Sequence, residues 1–173
     1  MKKKIFYILS FFIFFSCGRS IIGKNGEIGF YINSEANIES INAVKNSFSI
    51  WENAQNHKVK FTYKGRNKAG IIRDGKFTVS FLREFPKWVD QSYIGYCHKW
   101  FDKNGNLIES DIILNMSLTN WGTKDNPKEN SYCIEGIVIH EIGHFLGFEH
   151  TENEKSIMKA VLTIEESYNL TIE

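Results

Sequence analysis

The stretch Tyr132-Cys133-Ile134-Glu135-Gly136-Ile137-Val138-Ile139-His140-Glu141-Ile142-Gly143-His144-Phe145-Leu146-Gly147-Phe148-Glu149-His150 decides the reading of this chain. From Tyr132 to Phe148 it is long and mostly apolar, with Ile134, Ile137, Val138, Phe145 and Leu146 available for burial, so a buried helix is expected. His140 and His144 are one helical turn apart. That spacing sets both imidazoles on one face, where two ring nitrogens can reach one zinc ion at roughly 2.0–2.1 Å. A catalytic zinc needs a third protein ligand and one open position, and His150 is the candidate. It cannot meet the same ion from a straight continuation of the helix. Gly147 supplies the break, because glycine adopts positive φ without a Cβ clash and lets the chain turn back.

Glu141, beside the first histidine, is placed to act as general base toward a zinc-bound water. Attack of the resulting hydroxide on a peptide carbonyl gives a tetrahedral intermediate, and protonated Glu141 can hand its proton to the leaving amine. Two histidines and a glutamate can share a helix by accident. With the added glycine and third histidine, the five-position pattern arises by chance in about one chain of this length in 10⁵. His57 and His98 sit in no such pattern and are expected to be surface or structural residues. Two rivals stay open: a surface lipoprotein that binds a partner and keeps zinc for structure alone, and a zinc hydrolase of non-peptide amides. Glu141 speaks against the first, because a structural site needs no general base.

Outward from this segment, the 173 residues suggest one domain, and 42% apolar with 24% charged residues is ordinary globular usage. A formal charge of +1 leaves no basic field for nucleic acid, and a monomer is expected. Lys2, Lys3 and Lys4 precede an apolar run from Ile5 to Phe15, so residues 1–16 read as a secretory signal peptide. The run is too short for a spanning helix, which needs about 20 apolar residues. Removing three lysines takes the charge from +1 to −2. Phe14-Phe15-Ser16-Cys17 resembles a bacterial lipobox, although Phe14 and Phe15 depart from the usual pattern. Lipid on Cys17 would anchor the protein to the cell envelope, on the periplasmic or surface side, with residues 17–26 as tether. Ordinary secretion is the alternative. Cys97 and Cys133 then remain as a pair, and in an oxidising compartment a disulfide closing a loop of about 36 residues is expected, against two separate buried thiols.

Residues 29–32 read as a first strand, and Ser34 is a candidate cap for a helix over 36–56, where Ile38, Ile41, Val44, Phe48 and Trp51 keep helical spacing. Further strands are expected over 59–63, 77–81, 93–101 and 107–114. The last two are joined by Asp102-Lys103-Asn104-Gly105-Asn106, whose Asn-Gly is a hairpin signal. The oxygens of Asp102, Asn104 and Asn106 alternate as in a calcium loop, but Gly105 precedes the third ligand instead of following it, which favours a plain turn. Residues 117–131 read as a surface loop, and a short helix over 164–170 closes the chain.

The zinc segment HExxHxxGxxH, followed by Ser156-Ile157-Met158, resembles the signature and Met-turn of the metzincin endopeptidases. The short spacing, and the helix carrying Ala43, Phe48 and Trp51, resemble the matrixin branch. The resemblance implies an α/β domain of α+β zincin type over residues 27–173: a twisted, mixed, mainly parallel sheet, a long helix and an active-site helix. It implies one catalytic Zn²⁺ on His140, His144 and His150, Glu141 as catalytic residue, and protein or peptide substrates. It places Met158 as an apolar floor under the ligands, and Asp111-Ile112-Ile113-Leu114-Asn115 as the edge strand on which substrates bind. Lys159-Ala160 stands where matrixins often have Tyr-Pro, at the wall of the primary specificity pocket. About ten residues between Cys17 and the first strand leave no room for a folded pro-domain, and too few histidines remain for a second, structural zinc.

Overall fold

In a computed structural model the described residues are 26–55, 58–170 and 172. The signal peptide, the lipid-anchor site Cys17 with most of its tether, and His57 lie outside them. Ten elements follow in order: β1 (Glu27–Asn33), α1 (Ile38–Ala54), β2 (Lys60–Asn67), β3 (Phe77–Leu82), β4 (Gly95–Phe101), β5 (Leu107–Asn115), β6 (Asn120–Gly122), β7 (Ser131–Cys133), α2 (Ile134–Phe145) and α3 (Ile164–Asn169). Five strands form one sheet in the order β2-β1-β3-β5-β4. All neighbours are parallel except β4, which runs antiparallel to β5. This is the expected mixed α/β fold with a mostly parallel sheet.

Helix α1 forms where its apolar spacing puts it, burying Ile41, Val44, Phe48 and Trp51 on one face. Its cap is Asn37, whose side chain accepts from Ser40 N–H at 2.8 Å. Ser34 does not cap it: the helix starts three residues later than a Ser34 cap would require, and Ser34 N–H instead bonds the carbonyl of Asn67 on β2. Phe48 stacks on Phe30 of β1 with ring centroids 3.9 Å apart, fixing α1 to the sheet. Strand β2 runs to Asn67, past Gly65 and beyond the expected end at 63. At φ +111 that glycine sits in a register shift, a bulge that bends the strand without ending it.

One face of the sheet and both long helices enclose the main core, with Ile112 and Leu114 of β5 inside it. Ile113 points to the opposite face, against Phe85, Val89 and Tyr96. Strand β5 is therefore buried on both faces and hydrogen-bonded on both sides, between β3 and β4. This corrects the expectation that Asp111–Asn115 is the edge. The hairpin folds β4 outward, and β4 is the edge strand at this end of the sheet, as β2 is at the other. At the turn, Asp102 accepts from Asn104 N–H, Asn106 N–H and the Asn106 side chain at 2.8–2.9 Å, with Gly105 at φ +82. Its carboxylate oxygens are spent on the turn, as a plain hairpin requires.

Two further corrections concern the segment before α2. Residues 117–131 are not loop throughout, since β6 pairs with β7 in parallel and Trp121 Nε1 donates to the Asn115 carbonyl at 3.1 Å. Cys97 and Cys133 are free thiols, not a disulfide. Cys97 lies on β4 against Ser110, with its sulfur 3.4 Å from the hydroxyl, whereas Cys133 caps α2 and meets Glu135. The topology puts the two thiols on different sheets, each with its own polar partner, and burial pushes both up to about 12.

Candidate active site

Helix α2 is the scaffold of the site. It is buried almost all round: Ile137, Val138, Ile139 and Ile142 face the core, and Trp51 Nε1 of α1 donates to the Ile139 carbonyl at 2.7 Å. Two glycines let neighbours touch its backbone. Any Cβ on Gly136 would collide with the Ser167 carbonyl of α3, and one on Gly143 with the Met158 sulfur. Met158 is thus seated directly under the turn that bears the histidines, and it is 5% exposed.

The helix ends as the glycine requires. Gly147 takes φ +94, its N–H bonds the His144 carbonyl at 3.2 Å, and Phe148 N–H bonds the Gly143 carbonyl at 2.9 Å. These two bonds form a Schellman cap. The chain then reverses and brings His150 back beside the helix. A bond from Thr151 N–H to the Met158 carbonyl, 3.0 Å, ties the returning segment to the turn that carries Met158.

The three Nε2 atoms converge. His140 to His144 is 3.0 Å, His144 to His150 is 3.1 Å and His150 to His140 is 3.3 Å. Zinc ligands at 2.0–2.1 Å in a tetrahedral array lie about 3.3 Å apart, so the triad fits one such ion. The Nδ1 atoms of His140 and His144 lie 2.8 and 2.9 Å from the carbonyls of Ile157 and Phe148. Those carbonyls hold the ring protons on Nδ1 and leave the Nε2 lone pairs aimed at the common point. Burial lowers the pKa of both rings, that of His140 to about 4, which keeps them neutral and able to ligate. His98 is elsewhere, on the outer face of β4 between the rings of Trp88 and Trp100.

Glu141 points from α2 to β4. Its carboxylate accepts the Cys97 backbone N–H, and burial, opposed by that bond, pushes it up to about 8. A Cβ on Gly95 would lie 2.6 Å from Glu141 Oε1 and 2.8 Å from Ile137 Cγ2, so only glycine lets the strand pass this close. Sequence reading assigns Gly95 no role and offers Cys97 only as a disulfide partner. A glycine inside a strand marks a close backbone approach, and that signal was available. The carbonyls of Ile157 and Phe148, which orient the rings, left no sequence signal. Lys159 bridges Glu154 and Glu166 at 2.6 and 2.7 Å, tying the segment after Met158 to α3.

A model of the Matrixin peptidase family matches residues 25–173. The chain belongs to the matrixin family. A protein of Heliothis virescens ascovirus 3e, described by name as a matrix metalloproteinase, is 24% identical over 156 residues, covering 83% of this chain. This chain spans 31% of that relative's length. The matrixin assignment agrees with the mostly parallel sheet, and the triad can hold the metal that family membership implies.

Proposed function

We propose that this matrixin-family chain is a zinc-dependent endopeptidase that hydrolyses internal peptide bonds, with Glu141 as general base. The observation that carries the reading is the placement of Glu141. It is a buried carboxylate on α2, directly after the candidate ligand His140 in the chain, and it lies against β4, an edge strand of the sheet. His140, His144 and His150 would hold the ion. When bound, zinc supplies Lewis acidity for water and for the scissile carbonyl.

The residues of the chain do the rest. An extended peptide adds to the free edge of β4 by main-chain hydrogen bonds, which aligns its backbone past Gly95 and Cys97. The Cys97 N–H holds one end of the Glu141 carboxylate in place. The carboxylate takes a proton from the attacking water and returns it to the departing amine. A pKa lifted by burial suits both halves of that exchange.

The test is cleavage of a mixed peptide library by the purified protein, with and without a chelator, beside Glu141→Ala. Chelator-sensitive cleavage that vanishes in the variant while zinc remains bound is expected. Stoichiometric zinc with no peptide cleaved would sink the reading.

Export, with a lipid on Cys17 holding the catalytic domain at a bacterial envelope, is proposed on residues 1–17 alone. Labelled palmitate should enter the wild type and not Cys17→Ala.

A further inference from the structure

Lys99 follows Cys97 by two positions on β4, so both side chains leave the strand on the face turned to α2. Its Nζ donates to the His144 carbonyl at 2.9 Å, and the residue is half-buried. The lysines 64, 76 and 159 each have a carboxylate partner, but no ion pair to Lys99 occurs among the described residues. An ammonium has three donors, and one is committed. A partly desolvated cation with two free donors therefore stands beside the triad, on the strand whose outer edge is open.

Position along that edge says what it meets. Glu141 touches β4 at Gly95 and Cys97, which sets the scissile bond near that end. Lys99 is about 7 Å further along the strand. Antiparallel addition is the more stable pairing, and in that direction later residues of β4 face the N-terminal side of the bound peptide.

We propose that Lys99 is a specificity-determining residue that favours substrates with an Asp or Glu two to three residues N-terminal to the scissile bond. This rests on the endopeptidase reading. The competing role is a helix cap: a cation at the C-terminus of α2 is stabilising whatever the substrate. A cap alone gives no reason for substrates to be discriminated by charge.

The experiment compares kcat/KM for matched peptides carrying Glu, Gln or Lys at those positions. Ratios are taken within each protein, so a rate lost with the bond to His144 cancels. The wild type should favour Glu over Gln by about three- to tenfold, the range for a charge-assisted pair with partial screening. Lys99→Arg should keep the preference, Lys99→Met should bring the ratio near one, and Lys99→Glu should invert it toward the Lys peptide. Equal ratios in wild type and Lys99→Met would overturn the proposal. The same peptides are titrated by fluorescence anisotropy onto the zinc-loaded Glu141→Gln protein, with and without Lys99→Met. A charge preference in binding that Lys99→Met abolishes, with no peptide turned over by any variant, would count against the peptidase and leave carboxylate recognition standing. No preference in binding or in turnover would overturn it.

Discussion

Helix α2 and strand β4 meet at Glu141, and they contribute to the site in opposite ways. Helix α2 supplies side chains: two histidines and a carboxylate on consecutive turns, with Schellman geometry that returns a third histidine. Strand β4 supplies mainly backbone and space: the Cys97 N–H, the missing side chain of Gly95 and an unpaired edge. A motif search finds the first kind of contribution, because residue identity carries it. The second depends on which strand the fold leaves at the edge.

The largest effect should fall on the side-chain half. Glu141→Gln should lower kcat/KM by about 10²–10⁴ with zinc content unchanged by elemental analysis. A loss of zinc alongside activity would make Glu141 part of the metal scaffold. On the backbone half, Gly95→Val should cost about hundredfold in kcat/KM with the metal retained, because the new side chain displaces the Glu141 carboxylate. Unchanged kinetics there would show that β4 does not set the position of the base.

Two left-handed glycines sharpen the comparison further. Gly147→Ala and Gly105→Ala each place a Cβ at positive φ and should each lower the unfolding free energy by about 1–2 kcal/mol in denaturant titration. Only the first should weaken zinc binding, because only it moves His150. Equal effects on zinc would mean the hairpin and the metal site are coupled through β4.

The smallest effect concerns the segment after Met158, where charge does the tethering. The Lys159 ammonium and the Thr163 N–H hold Glu166 well below the usual carboxylate range, at about 2. The folded pKa is below the unfolded one, so this contribution is present above about 4.5 and is lost as pH falls toward 2. Glu166→Gln should flatten that part of the stability-against-pH curve by a small amount, the pair lying at the surface and only half-buried, where solvent screens it.

Much of the fold was legible. Helix α1 lies on its apolar stripe within two residues of the expected ends, and the hairpin turn stands at Asn104-Gly105 as the dipeptide demanded. Most of the errors share one cause. Residues 120–122 and 131–133 became paired strands, and Cys97 and Cys133 stayed apart, because each outcome depended on a partner outside the segment. The cap, by contrast, was a local choice, taken by Asn37 three residues after Ser34. Strand order was the costliest case. A run such as Asp111–Asn115 has the same local pattern at an edge or inside a sheet, and only the pairing of β3 with β5 put it inside.

By itself the sequence determined the residues of the candidate metal site, since ligand type, helical spacing and the glycine break are local properties within eleven positions. Tertiary structure alone decided what surrounds them: the carbonyls of Ile157 and Phe148 behind the rings, Met158 beneath Gly143, and the Gly95–Lys99 stretch of β4 facing Glu141 and His144. Those contacts join segments separated by tens of residues. They are selected by the burial of the whole core, not by the preferences of any one segment.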